Sequence, residues 1–366
     1  MKPPAILLGL TGLEIDGGIA SVSRCVARAL DKEIRAGRVA RADRVSLFDD
    51  PRNPPPGPEV GVQRLARGSQ ARFAWQLYAL HRRWRHDLVF FDLVGLARAA
   101  RLPLPGLPPA RYAIFVHGVE LSAARQGSRA RALAGAHRLL ANSEFTARAL
   151  VEQHPAVAAR VRVVPLCIDP GRIAAWEAEA PGPAAREPAA LIVGRMSSAE
   201  RYKGHDQLIE IWPDVRSAVP GAELWIAGGG DDVPRLEALA RGGAAGGVRF
   251  LGRVSDAALA DLYRRASVYA MPSRQEGFGL AWAEAMWFGL PCIGATADAA
   301  AEVIADGDTG RLVPHADANA LARAVVEILS DRERARRMGE RGRQLARERF
   351  TYARFRTDLL RALDLT

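Results

Sequence analysis

Cysteine is scarce in this sequence: Cys25, Cys167 and Cys292 are the only three in a chain of 366 residues. Their wide separation excludes a disulfide scaffold, a zinc knuckle and a Cys-x-x-Cys redox turn, and points to a reducing compartment. Long apolar runs are missing as well. The N-terminal stretch Ala5-Ile6-Leu7-Leu8-Gly9-Leu10 is too short for a signal-peptide core or a membrane span, and no run of about 20 apolar residues occurs elsewhere. The protein therefore reads as soluble or peripheral, in the cytoplasm or on the inner face of its membrane. No helix-turn-helix, zinc-finger or RNA-binding signature is present, which argues against a nucleic-acid partner in spite of a net charge of +10. Residues 12–18, after the first apolar run, lack the Gly-x-Gly-x-x-Gly spacing that a nicotinamide-dependent oxidoreductase would carry there.

The charge that is present is unevenly placed. Residues 1–180 hold 26 Lys or Arg against 16 Asp or Glu, whereas residues 181–366 hold 25 of each. Nearly all of the excess is arginine, so two readings stay open: a surface for an acidic substrate or an anionic membrane, or the arginine bias of a high-GC genome. Segment 76–86 mixes aromatic and basic residues at helical spacing, as interfacial helices do.

Apolar runs alternate with amphipathic stretches, the pattern of parallel strands joined by helices. Strands are predicted over 6–10, 88–91, 112–116, 138–141 and 161–164, with helices over 19–30 and 144–151. The loop Asp16-Gly17-Gly18 precedes the first helix, where backbone amides would face a ligand crevice or simply make a turn. His117-Gly118 closes the strand 112–116 at its carboxyl end. A composition shift over 174–189 reads as a linker. A second series follows, with strands over 190–193, 223–227, 248–251, 268–271 and 291–294, each marked by glycine turns. These include Gly194-Arg195-Met196, the run Gly228-Gly229-Gly230, and Gly252-Arg253-Val254. Arg201-Tyr202-Lys203-Gly204-His205-Asp206 opens a helix, 256–265 is another, and an Arg-rich helix and a last one over 352–365 end the chain. The length suits two domains.

The most informative stretch is Arg274-Gln275-Glu276-Gly277-Phe278-Gly279-Leu280-Ala281-Trp282-Ala283-Glu284-Ala285-Met286. It reads as a glycine turn opening an Ala-rich helix, whose free N–H groups suit an anion such as a diphosphate. If both glutamates are helical, they lie about 80° apart around the axis and roughly 12 Å along it. Either carboxylate is also compatible with a solvated helix position, but Glu284 sits among apolar neighbours and requires a partner.

Gly17-Gly18, His117-Gly118, Gly194-Arg195 with Lys203-Gly204, the glycines at 228–230 and the Glu276-to-Glu284 stretch together resemble the retaining GT-B glycosyltransferases of family 4. The resemblance runs over essentially the whole chain in the right order. It implies an α/β, GT-B fold: two Rossmann-like domains facing across a cleft, residues 1–180 for the acceptor and 181–349 for the nucleotide-sugar donor, with 350–366 crossing back onto the first. It implies that Arg195 and Lys203 hold the donor diphosphate, that Glu284 accepts from the ribose hydroxyls, and that Glu276 contacts a hydroxyl of the donor sugar. Gly277, Phe278, Gly279 and Leu280 would supply main-chain groups, Gly18, Gly194, Gly228 and Val254 would line the donor, and His117 would stand beside the reacting carbon.

Chemistry favours the basic pair independently, because a leaving nucleoside diphosphate gathers negative charge that fixed cations and helix-start amides stabilise without metal. No Asp-x-Asp pair stands at a strand end, so neither metal nor cofactor is expected. The expected reaction is transfer of a hexose, mannose favoured, from a GDP-sugar or UDP-sugar to a hydroxyl of a glycan or lipid-linked glycan. The resemblance implies phosphate-assisted front-face substitution as the expected route, rather than a carboxylate nucleophile. Two alternatives stay open: a sugar-nucleotide-binding protein without transferase activity, and a GT-B-fold epimerase or hydrolase.

Overall fold

The computed structural model describes residues 2–15, 17–101, 111–121, 124–178, 185–243 and 246–365. The chain folds as two units, Met1–Asp169 with Tyr352–Thr366, and Pro170–Thr351. The boundary at 180/181 read from composition, and residues 179–184 of the expected linker, lie outside the described residues. The start of that linker is not loop: Pro170–Ala178 is a helix that buries Trp176.

In the first unit, seven strands form one parallel sheet. They are β1 (Ala5–Leu10), β2 (Arg41–Ser46), β3 (Gln63–Leu65), β4 (Leu88–Phe91), β5 (Tyr112–Val116), β6 (Arg138–Ala141) and β7 (Val161–Val163), in the order β3-β2-β1-β4-β5-β6-β7. The helices between them are α1 (Gly18–Arg35), α2 (Gln70–Trp84), α3 (Gly127–Gly135) and α4 (Glu144–Gln153). β1, β4 and β5 are buried nearly throughout, as strands covered on both faces must be, which is why they read as unbroken apolar runs. Side-chain caps start two of these helices: at α4 the Ser143 hydroxyl accepts from Thr146 N–H at 3.0 Å, and at α2 the Ser69 hydroxyl accepts from Arg72 N–H at 3.3 Å.

Strands β2 and β3 are absent from the sequence reading, and burial of charge explains the first. Arg41, Asp43 and Arg44 give β2 the look of a surface segment, yet Asp43 and Arg44 are buried. Arg41 donates twice to Asp43, at 2.7 and 2.8 Å, His86 Nε2 meets the same carboxylate at 2.7 Å, and Arg44 pairs with Asp31 at 2.5 Å. Burial alone would raise the Asp43 carboxyl, but the bonds from His86, Arg41 and Val62 N–H outweigh it and leave it below its ordinary value.

The C-terminal helix Tyr352–Ala362 completes the first unit. It buries Phe355, Leu359 and Leu360, and Phe355 stacks on Phe115 of β5 with ring centroids 6.5 Å apart. Glu33 of α1 is fully buried and accepts from Arg356 of this helix and from Arg38.

In the second unit, strands β8 (Ala189–Val193), β9 (Glu223–Ala227), β10 (Val248–Gly252), β11 (Val268–Met271), β12 (Cys292–Ala295) and β13 (Gly310–Val313) form a parallel sheet in the order β10-β9-β8-β11-β12-β13. β13 is another strand that the apolar pattern does not indicate. The helices are α5 (Pro170–Ala178), α6 (His205–Ala218), α7 (Val233–Gly242), α8 (Asp256–Arg265), α9 (Leu280–Trp287), α10 (Ala300–Val303), α11 (Ala318–Ser330) and α12 (Arg332–Arg349). Arg186 ties two of them together, donating to the carbonyls of Ala266 at 2.5 Å, Phe288 at 2.8 Å and Gly289 at 3.0 Å, beyond the ends of α8 and α9. Among the described residues no helix is long and apolar enough to cross a membrane.

Docking of the C-terminal helix rests on Phe355, which is 1% exposed. Phe355→Ala should lower the stability of the first unit by about 3–5 kcal/mol, read from urea unfolding; an unchanged midpoint would mean that the helix adds nothing to that core.

Candidate active site

In an open parallel sheet, ligands bind beyond the carboxyl ends of the strands where the strand order reverses. In the second unit that reversal lies between β8 and β11. The turn after β8 carries Gly194 and Arg195, and the turn after β11 carries Ser273 to Gly279. Lys203, just before α6, reaches back into this place, and its Nζ stands 3.2 Å from Glu276 Oε2 with both side chains mostly out of water. Burial opposes the ammonium, but Glu276, Tyr202 and Glu200 outweigh it and hold Lys203 above its ordinary pKa. Lys203 is thus a fixed cation beside a fixed anion.

Glycine at two positions makes this possible. A Cβ on Gly194 would lie 3.2 Å from Lys203 Cδ, so a side chain there would press on the lysine stem. Gly228, after β9, has φ +137°, and a Cβ there would fall 1.9 Å from the Gly194 carbonyl oxygen. Only glycine brings those two turns into such close approach.

The structure corrects the placement of Glu276. Helix α9 begins at Leu280, with Gly279 as its left-handed N-cap at φ 83°, so Glu276 lies in the preceding loop and the helical spacing to Glu284 does not apply. Three consecutive residues in that loop, Gly277, Phe278 and Gly279, are buried, and the Phe278 ring packs edge-on against Phe350 with centroids 5.7 Å apart. Asp298, in the turn after β12, accepts from Glu276 N–H at 3.0 Å.

Glu284 does lie within α9 and is buried. It has the partner its surroundings require: Arg172 of α5 donates to Oε1, and Tyr263 donates to Oε2 at 3.2 Å. Arg172 also pairs with Asp256 at 3.1 Å. Arg195 is less constrained, with an exposed side chain that meets Glu200. Val254 is half-buried just beyond β10, and Leu280 is the first residue of α9. The structure therefore brings together Gly194, Gly228, Lys203 and Glu276, and gives Glu284 and Arg195 other partners.

In the first unit the sheet reverses between β1 and β4. Asp92 lies there, fully buried, and accepts from Thr11 N–H at 2.6 Å, Thr11 Oγ1 at 3.0 Å and Ser23 Oγ at 2.7 Å. His117 follows β5 and is buried; its Nε2 donates to the Asp92 carbonyl at 2.8 Å, which fixes the proton on that nitrogen. Its ring stacks on Phe115 at 5.2 Å. Gly18 is exposed and opens α1, with Gly17 as N-cap at φ 119°; Asp16 of that loop lies outside the described residues.

Each unit matches its own family model: residues 16–172 match Glycosyltransferase Family 4, and residues 187–331 match Glycosyl transferases group 1. Sucrose-phosphate synthase from Thermosynechococcus elongatus superposes with a TM-score of 0.81 at 23% identity, covering 99% of this chain and 98% of that one. The fold is GT-B. Among curated proteins, the phosphatidyl-myo-inositol mannosyltransferase of Mycolicibacterium smegmatis is 40% identical over 142 residues, 38% of this chain and 36% of the relative. The GDP-mannose-dependent alpha-(1-6)-phosphatidylinositol monomannoside mannosyltransferase of Mycobacterium tuberculosis is 36% identical over 168 residues, 44% of this chain and 42% of the relative. The GT-B chain thus matches these relatives over less than half of their length.

Arg172, Tyr263, Asp92 and Asp298 are the site residues that sequence reading missed. Asp92 and Asp298 follow buried strands directly or within a short turn, the position that also marks His117, and that signal was available. Arg172 has none, since its partner Glu284 is 112 residues away in sequence.

Burial pushes the Asp92 carboxyl up from 3.8 to about 6. A carboxyl raised on folding binds protons more tightly in the native state, so its contribution is fully present below the unfolded value and is lost as pH rises through about 6. Asp92→Asn should therefore flatten the fall in stability between pH 4.5 and 7, measured by urea unfolding at both; a slope equal to wild type would contradict the raised value.

Proposed function

We propose that the protein is a retaining, metal-independent glycosyltransferase that moves a hexose, mannose favoured, from a nucleotide-diphosphate sugar to a hydroxyl of a glycan or lipid-linked glycan. The observation that carries this reading is the Lys203–Glu276 pair, 3.2 Å apart at the reversal point of the second sheet. A single phosphate site would call for cations alone. A cation for phosphate set against a carboxylate that accepts from hydroxyls suits a ligand carrying both, which is the chemistry of a sugar nucleotide.

On this reading Lys203 and Arg195 take the diphosphate, and their charge stabilises what develops on it as the glycosidic bond breaks. Arg195 is free to swing from Glu200, its side chain being 68% exposed. Glu276 grips a hydroxyl of the donor sugar, and Glu284, kept as an acceptor by Arg172, takes the ribose. His117 takes the place beside the reacting carbon that the family resemblance implies. The leaving phosphate accepts the acceptor's proton, so no glycosyl-enzyme forms. GDP is favoured as the nucleotide because the M. tuberculosis relative is named as GDP-mannose-dependent, and a lipid-linked acceptor because that relative and the M. smegmatis one are named for phosphatidylinositol substrates.

Contact with an anionic membrane is part of the proposal. Met1–Asp169 with Tyr352–Thr366 carry 28 Lys or Arg against 16 Asp or Glu, while Pro170–Thr351 carry 23 against 25. On α2, Trp75 is 64% exposed, about two turns before the basic residues His81, Arg82 and Arg83 of the last turn. Pelleting with vesicles containing anionic lipid should be strong at low salt and fall as salt rises; equal pelleting with neutral vesicles would refute the contact.

A thermal-shift screen tests the central reading. GDP or GDP-mannose should raise the unfolding temperature more than the uridine equivalents, and no stabilisation by any nucleotide would sink the proposal. With a donor in hand, Glu276→Ala should cut kcat about 100-fold, while Glu284→Ala should raise the donor KM about tenfold with a modest loss of kcat. The reverse pattern would exchange their roles, and a covalent sugar adduct found by mass spectrometry would overturn the phosphate-assisted route.

A further inference from the structure

Glu276 lies in a loop with no regular hydrogen-bond ladder, so something else must hold its main chain in place. The holder is in the turn after the neighbouring strand β12. Asp298, two residues before the four-residue helix α10, is 5% exposed and accepts three hydrogen bonds. Its Oδ2 accepts from Ser273 Oγ at 2.6 Å and from Glu276 N–H at 3.0 Å, and its Oδ1 accepts from Ala300 N–H at 3.0 Å. The next residue closes the clamp from the other side, Ala299 N–H donating to the Glu276 carbonyl at 3.2 Å. Both main-chain groups of Glu276 are thereby held by the 298–299 turn, while its side chain meets Lys203.

We propose that Asp298 is a positioning residue of this site: its carboxylate fixes the Glu276 peptide and Ser273, and so aims the Glu276 carboxylate. This rests on the role given to Glu276 above. Two physical arguments carry it. A carboxylate accepting from a backbone N–H and a hydroxyl makes stronger bonds than a neutral group would, and a buried one is geometrically exacting. A buried carboxyl is also costly, burial pushing Asp298 up to about 6, and the three bonds it accepts offset that cost. Its three bonds converge on the one loop that carries Glu276 and on the turn that clamps it, rather than on the core.

Hydrogen exchange over residues 273–279 tests the holding itself and needs no substrate. Asp298→Asn should speed exchange of the Glu276 amide about tenfold, with distant peptides unchanged. Ser273→Ala, which leaves the carboxylate in place, should move the same peptide less. An unchanged amide in both variants would overturn the proposal, whatever the protein's activity.

Kinetics then separates positioning from a merely structural role. Asp298→Asn should lower donor kcat about tenfold while KM and the affinity for GDP stay within about twofold, and should cost nothing further in a Glu276→Gln background, because it acts through Glu276. A loss that adds in full to that of Glu276→Gln, or an equal loss of GDP affinity, would overturn it. If wild type binds no nucleotide while the exchange result holds, the enzymatic reading fails and the clamp on Glu276 stands.

Discussion

An ammonium and a carboxylate 3.2 Å apart, largely withdrawn from water, set the terms for the second unit. Neither charge could be buried alone, because the penalty for an unpaired ion outweighs what packing returns. The pair also has to be assembled from separate segments: Lys203 from the approach to α6 and Glu276 from the loop after β11. The glycines at 194 and 228 are consequences of that assembly, since a side chain at 194 would press on the lysine and one at 228 would strike a carbonyl oxygen. Arg172 does for Glu284 what Lys203 does for Glu276. Each carboxylate thus meets a cation: Lys203 for Glu276 and, for Glu284, Arg172, which is shared with Asp256.

Strand positions in both units were largely legible, because a strand covered on both faces is an unbroken apolar run and its end is a turn residue. Strands over 88–91, 112–116, 138–141 and 268–271 agree with the structure to the residue. Where the reading failed, it failed for a physical reason. Periodicity treats charge as a mark of solvent, so β2, whose Asp43 and Arg44 are buried in ion pairs, was invisible. Glycine near a helix start does not say on which side of it the helix begins, so Glu276 was drawn into α9, four residues too early. Residues 174–178 belong to a stretch rich in Ala, Glu and Pro without a strand pattern, which reads as linker, yet they are helix, with Trp176 packed against Phe288 at a ring-centroid distance of 5.0 Å. Partnerships across long stretches of chain, such as Arg172 with Glu284, leave no local trace at all.

Much of the arginine excess is spent inside the fold. In the first unit Arg24 holds Asp169 at 2.6 Å, Arg160 reaches the Ala136 carbonyl at 2.6 Å, and Arg41, Arg44 and Arg356 are engaged with buried or half-buried carboxylates. In the second, Arg186 serves main-chain carbonyls left open at helix ends, which the planar guanidinium suits better than an ammonium does. A net charge read from composition therefore overstates what is available to a partner. Exposed charge on α2, such as Arg82 and Arg83 beside Trp84, is the part to weigh.

The helix Tyr352–Ala362 belongs to the first unit although the whole of the second is encoded ahead of it. On the ribosome, β1 to β7 and their helices emerge early, but the apolar face of Phe115 and the buried Glu33 wait for Phe355 and Arg356 until the second unit has been translated. The first unit can collapse during synthesis, as leading domains generally do, but it cannot reach its final packing until residues 352–362 have been made. Completion of one unit is thereby tied in time to production of the other, and a chain that stalls within the second leaves the first with an open apolar seam and a Glu33 carboxylate that has lost one of its two arginine partners, Arg38 remaining.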